Sequence, residues 1–254
     1  MDELKKRLTR ELGQNLQIKI KHSQIWHLPV YPIKVGFETV RQSKMDLLMK
    51  MLLTAFREAD FSETSQLSKV LLVEPIFIEH LVRKMADAGL IQKNDLYFTL
   101  TEKGISQLNA ETFIDQVEQV SENLLFSPCH GKLLEGALKK AEDDQFDDYR
   151  FYDDFSDWDI EAIDPTAVRQ GLQNLIPKEE TPNIQTVIAD IHSLAPLTPE
   201  VIPCIEFQLY HQTAAIFYAR VWNTLLNEWD ETLEGQINER DRNRWQEKFK
   251  ESTK

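Results

Sequence analysis

Leu4, Leu8 and Leu12 recur at i, i+4 and i+8 with basic residues between them. This spacing predicts a short helix over 2–13, stopped by Gly13. The period then drops to two. In LQIKIK (16–21), Leu16, Ile18 and Ile20 face one way and Gln17, Lys19 and Lys21 the other, the pattern of a half-buried strand. A second extended piece over 25–35 contains Pro29 and Pro32, which predict an edge or irregular segment rather than a central strand. From Lys44 the pattern turns helical. KMDLLMKMLLTAFREA confines its polar residues to one stripe, Asp46, Lys50, Thr54 and Arg57, so this helix is expected to be buried on most of its circumference.

Ser62 or Thr64 caps a second helix of this group, roughly 63–72, with Leu67, Val70 and Leu71 inward. Glu74-Pro75 opens a third, which runs to about Ala88 with Gly89 at C′. Leu90–Gln92 and Leu96–Leu100 read as short strands joined at Lys93-Asn94-Asp95, and Thr101 caps a helix over 102–108. ETFIDQVEQVSENLLF repeats Phe113, Val117, Val120 and Leu124 at helical spacing and predicts an amphipathic helix. Ser127-Pro128 and Gly131 mark a boundary. Beyond it the pattern predicts helices at 132–141 and after Asp164-Pro165, the latter with Val168, Leu172 and Leu175 inward. PKEETPN (177–183) reads as a linker, followed by strands at 184–191, 201–210 and 214–223. A last helix over 225–249 carries Leu226, Trp229, Leu233 and Ile237 in one stripe, as core or interface, and Gly235 weakens it without ending it.

Composition narrows the class. A chain of 254 residues with 42% hydrophobic content can bury a core, which excludes a disordered acidic tail. Cys129 and Cys204 alone cannot form a disulfide framework or a four-cysteine zinc site. No stretch reaches the ~18–20 apolar residues of a membrane span, and MDELKKRLTREL has no apolar core of a secretory signal. These features predict a cytoplasmic protein without a membrane partner. The net charge of −13 is unevenly placed. Up to Ala110 there are 16 Lys+Arg against 13 Asp+Glu, net +3; beyond it there are 13 against 29, net −16. The two halves are expected to meet different partners.

Helix, helix, helix and hairpin is the element order of a winged helix-turn-helix. Residues 44–108 resemble the winged helix of the MarR, PadR and related regulator families. The resemblance is carried by Met85-Ala86-Asp87-Ala88-Gly89-Leu90-Ile91 at the end of the third helix and by Leu100-Thr101-Glu102-Lys103-Gly104 after the hairpin. With the pattern and charge on either side of it, the expected chain is α+β in three parts: an N-terminal helix and strand element (1–40), a winged helix-turn-helix (41–126) and an acidic α+β domain (127–254). Of these parts the resemblance implies the winged helix alone. It also implies that the third helix is the recognition helix and that its partner is double-stranded DNA or a protein surface.

At about 100° per residue, Phe77, Ile78, Leu81, Val82, Met85 and Ala88 form the core face of that helix, with Glu79, His80, Arg83, Lys84 and Asp87 opposite and Ile76 among them. The charges on this outer face sum to zero. Arg83 and Lys84 suit phosphates and base edges, whereas Glu79 and Asp87 oppose them. Ile76 fits a thymine methyl or a protein interface. The hairpin tip offers Lys93 and Asn94 and lacks the arginine that MarR-like wings carry, which leaves Lys93 for a phosphate. Lys19, Lys21, Lys34, Arg41 and Lys44 would extend such a surface if the fold gathers them.

Other chemistry is sparser. Asp153, Asp154, Asp157 and Asp159 lie in an acidic segment, 142–164, interleaved with Phe146, Tyr149, Phe151, Tyr152, Phe155 and Trp158. The spacing does not fit an EF-hand loop; it predicts a solvated acidic loop anchored by its aromatic residues, with a basic partner as the alternative. Asp190 and Glu206-Phe207-Gln208 on neighbouring strands resemble the metal site of restriction-like nucleases. The histidines at 22, 27, 80, 130, 192 and 211 show no zinc spacing, and no glycine-rich phosphate loop is present. No cofactor is therefore predicted. The expected function is a non-catalytic winged-helix regulator or DNA-binding subunit, dimeric or in a complex. A winged-helix scaffold that contacts only protein is the second reading, and a metal-dependent nuclease using Asp190 and Glu206 the third.

Overall fold

The computed structural model describes residues 1–94, 96–138, 146–177 and 183–251. Its helices are α1 (Asp2–Leu12), α2 (Leu47–Glu58), α3 (Thr64–Leu71), α4 (Pro75–Asp87), α5 (Glu102–Ala110), α6 (Pro165–Leu175) and α7 (Glu231–Glu251). The strands are β1 (Ile18–Lys44), β2 (Ile91–Lys93), β3 (Phe98–Leu100), β4 (Thr112–Ser127), β5 (Lys132–Leu134), β6 (Ile184–Pro196), β7 (Glu200–His211), β8 (Ile216–Asn223) and β9 (Glu228–Trp229). Helices and strands are segregated along much of the chain, and the class is α+β. The larger sheet has the order β5-β4-β1-β7-β8-β9, with β6 also on β1, and β2-β3 form a separate hairpin. The chain divides into two compact units, one built from 1–35, 122–172 and 194–254, the other from 36–121 and 173–193.

In the first unit, β1 pairs antiparallel with β7, and β7 with β8. Alternation then gives each strand two working faces. Ile205, Phe207 and Leu209 lie under α1, whose Leu8 is fully buried against them with Leu4 and Leu12 beside it. On the other face Cys204, Ala219 and Val221 meet Leu233 and Ile237 of α7, together with Trp26, Leu28 and Val30 of β1. The aromatic residues of 146–158 fix that segment to β1. Tyr149 stacks on Trp26 at 4.6 Å, Phe146 meets His27 edge-on at 5.4 Å, Tyr152 hydrogen-bonds Tyr31 at 2.6 Å, and Trp158 lies 4.8 Å from Tyr31. Asp153, Asp154, Asp157 and Asp159 remain exposed, so an acidic loop anchored by aromatics is what forms over 146–164; residues 142–145 lie outside the described residues.

In the second unit a core runs through Met45, Met49, Leu52, Leu53, Phe56, Leu67, Ile78, Val82, Met85, Leu90, Ile91, Leu108 and Phe113. Local chemistry sets its element ends. Asp46 caps α2 by accepting the N–H groups of Leu48 and Met49. The side-chain oxygen of Gln66 accepts the N–H groups of Ser62 and Glu63 at the start of α3. Pro75 occupies the first turn of α4, Gly89 follows it at φ +68°, and the Thr101 hydroxyl accepts the Gly104 N–H to cap α5.

Several expectations from the pattern give way. Residues 18–44 form one strand, central in its sheet, despite two prolines. The prolines sit where the ladder has no need of a donor. The Pro32 carbonyl accepts the N–H of Leu197, in the break between β6 and β7, so its ring nitrogen faces that break. His27 exchanges both its backbone bonds with Asp147 and Tyr149, and by alternation Pro29 faces the same edge just past that bridge. The expected helix at 113–124 is strand β4, and residues 132–134 are strand β5 rather than helix; 139–141 lie outside the described residues. Apolar positions at 113, 117, 120 and 124 fit a helix, but Thr112, Ile114, Val117 and Val120 are β-branched and lose least in a pleated backbone. The last helix begins at Glu231, after a turn at 224–227 and the short β9, so Leu226 and Trp229 precede it. Leu16, Val70, Phe77 and Leu175, expected to face inward, are 89%, 65%, 58% and 50% exposed. On α2, Leu47 and Met51 are exposed at 71% and 43%, so that helix is not enclosed on most sides.

Candidate functional site

A binding role was expected on the outer face of α4 and at the β2–β3 tip; the α3–α4 corner lies at the start of α4. α3 ends at Leu72, held at φ +55°, a left-handed conformation that Gly or Asn adopts more cheaply, and this leucine is 91% exposed. Together with Val70, Ile76 at 69% and Phe77 at 58%, it places four exposed large apolar side chains within eight residues. Isolated exposed leucines are ordinary; a cluster on one corner is not. The inward side of α4 is Ile78, Val82 and Met85, all buried.

Along the rest of α4, Glu79, His80, Arg83 and Asp87 are exposed. Glu79 and Arg83 stand four apart, a spacing at which an ion pair can form along a helix, yet among the described residues neither side chain has a partner. Lys84 is half-buried, with its ammonium 4.7 Å from the centre of the Phe113 ring. Lys93 is exposed and lies 5.1 Å from the centre of the Phe98 ring in its own hairpin. The Asn94 N–H donates to the Tyr97 carbonyl to close the turn, and Leu96 and Tyr97 are exposed beside it; Asp95 lies outside the described residues. Residues 44–110 contain 8 Lys+Arg against 9 Asp+Glu, so the excess positive charge of the first half belongs to residues before 44. Lys19, Lys21 and Lys34 belong to the first unit, and Arg41 and Lys44 to the second. Sequence reasoning pointed to Ile76 but missed Val70, Leu72 and Phe77, because a helical wheel cannot show where α3 stops or how its last turn opens.

Glu206, a candidate metal ligand, has another role. Its buried carboxylate accepts the Trp26 indole N–H at 2.8 Å, the Gln24 amide at 3.0 Å, and two N–H groups of Arg150 at 2.6 and 3.1 Å. Arg150 turns its remaining face to Asp241, at 2.6 and 2.9 Å. Burial disfavours the guanidinium charge, but the hydrogen bonds to the two carboxylates outweigh it and raise the arginine pKa. Asp190 is exposed and belongs to the second unit, whereas Glu206 belongs to the first. Among the described residues no three His, Cys, Asp or Glu side chains are grouped to hold a metal ion.

Ser127, His130 and Asp230 form a second buried constellation. His130 Nε2 donates to the Asp230 carboxylate at 2.9 Å, and Nδ1 shares a 2.7 Å hydrogen bond with the Ser127 hydroxyl. The residue types are those of a hydrolytic triad, but the ring is reversed: in a triad the serine meets Nε2 and the acid Nδ1. Ser127 is fully buried, and the His130 and Asp230 side chains are only 1% and 3% exposed. Asp230 also accepts the Asn223 amide and the Leu233 N–H at the start of α7. The cluster clasps that helix end to the 127–131 turn. Burial pushes the Asp230 carboxyl up, but its hydrogen bond and charge interaction with His130, with the Asn223 and Leu233 donors, hold it below the usual aspartate value. Cys129, also buried, has its thiol pushed up to about 12 by burial, which leaves almost no reactive thiolate at neutral pH.

The fold and these sites define an α+β protein with two compact units and an exposed apolar corner on one of them. No family model, curated protein or solved structure matches the chain. No helix among the described residues is long and apolar enough to cross a membrane.

Proposed function

We propose that residues 44–110 are a winged-helix module that binds protein, and that the chain is a non-catalytic interaction factor. The observation that carries this reading is the exposed corner of Val70, Leu72, Ile76 and Phe77. A surface for duplex DNA needs a net excess of cations aimed outward. Here the helix that would enter the groove begins with two exposed apolar side chains, its outer charges cancel, and Lys84 lies over the ring of Phe113. Large exposed apolar side chains next to charges of both signs suit a protein interface better than a phosphate backbone.

The test combines photo-crosslinking with DNA titration. A photoreactive benzoylphenylalanine in place of Ile76 is expected to capture protein in the native cell, while the same group in place of the exposed Thr9 does not. Short duplex DNA is expected to show no salt-dependent binding. An affinity that falls steeply with salt and is lost in Arg83→Glu/Lys84→Glu would make the module a DNA reader and overturn the proposal.

A further inference from the structure

We infer that the partner of the α3–α4 corner is a second copy of this chain, docked through α4 about a two-fold axis. The inference rests on the protein-binding reading above and adds the identity of the partner. It is carried by the order of side chains along the outer face of α4: Ile76, Glu79, Arg83 and Ala86, all exposed.

In an antiparallel pair of identical helices with the axis passing at residue 81, residue i of one copy stands level with residue 162 − i of the other. Glu79 then faces Arg83 of the second copy, and Arg83 faces its Glu79. Both pairs come from one operation, as a self-complementary interface requires. The same register sets Ile76 of each chain against Ala86 of the other, a large side chain opposite a small one. At about 100° per residue, these four exposed positions span about 80° of the helix surface, a continuous face centred about 110° around the helix from the buried Ile78, Val82 and Met85. Antiparallel helices also oppose their dipoles favourably. The register gives Glu79 and Arg83, spaced to pair along one helix but without a partner among the described residues, a partner each.

Charge exchange tests this register. Sedimentation equilibrium over a concentration series is expected to show a dimer for the wild-type chain. Arg83→Glu and Glu79→Arg should each weaken it by roughly tenfold or more, because each sets like charges face to face. The double variant Glu79→Arg/Arg83→Glu should restore the dimer. Ile76→Glu should give a monomer that no charge exchange rescues. Circular dichroism confirms that each variant remains folded. A wild-type chain that stays monomeric at the highest concentration, a dimer indifferent to the single changes, or a double variant no better than either single would overturn the inference. A monomeric chain whose Ile76 probe still captures another protein leaves the protein-binding reading standing and removes only the self-association.

Discussion

Arg150 ties together three segments of the first unit: it lies before α6 in the chain, Glu206 lies on β7 and Asp241 on α7. Buried charge is tolerated here because every partner is supplied, and the Trp26 and Gln24 donors occupy the acceptor capacity of Glu206 that the guanidinium leaves. The Asp230 cluster gives a sharper test, because its linkage to pH has a definite sign. A carboxyl held lower in the folded than in the unfolded chain adds stability at every pH above its unfolded value, about 4. That stability fades as the pH falls through the folded value. Asp230→Asn is therefore expected to lower unfolding stability by about 1–3 kcal/mol at pH 7, by urea denaturation. The gap from wild type should narrow below pH ~4; a constant gap from pH 7 to pH 3 would show that the carboxylate charge contributes nothing. At this scale the chain was only partly legible. Glu206 and Cys129-His130 stood out as chemistry-bearing residues, but their partners Arg150 and Asp230 lie 56 and 100 residues away, and no local spacing links them.

Elements with chemical punctuation were the readable ones. Pro75 at the first turn of α4, Gly89 just beyond its end and Thr101 at the cap of α5 each act on neighbours within a few residues, so the order α2-α3-α4-β2-β3-α5 follows from sequence. β4 was misread because its apolar spacing satisfies a helix while its β-branched residues favour a strand, and pairing with β5 and β1 decides between them. Two substitutions probe the helical unit. An added Cβ at Gly104 would fall on the Leu90 carbonyl, and backbone cannot give way as a flexible side chain can. Gly104→Ala is expected to cost about 1–3 kcal/mol in a urea melt. Leu72→Gly should do the reverse, stabilising the fold by up to about 1 kcal/mol, since it relieves a left-handed leucine whose side chain is 91% exposed. A lowered denaturation midpoint in Leu72→Gly would show that the side chain contributes more than its backbone conformation costs.

Neither unit of the whole molecule is one continuous stretch, and this was the least legible feature. The core through Met45 to Phe113 is nonetheless local, whereas the core containing Trp26, Leu28 and Val30 needs residues from β1, from 129–149 and from 202–237. A fragment of residues 41–114 is therefore expected to give a helical spectrum and a cooperative melt. Residues 127–254 alone lack β1 and should not melt cooperatively; a sharp transition in that fragment would mean that β1 is dispensable to its core. The same dependence bears on how the chain can change length. β1 spans 27 residues, and its one register irregularity against β7 lies between Ile20 and His22. Adding or deleting a single residue further along would turn every following side chain to the opposite face, taking Ile33, Val35 and Phe37 off the face they fill together. Evolution can therefore rewrite the letters of β1 far more easily than it can alter their number, and the irregularity at 20–22 is the natural place for a change in that number to be absorbed.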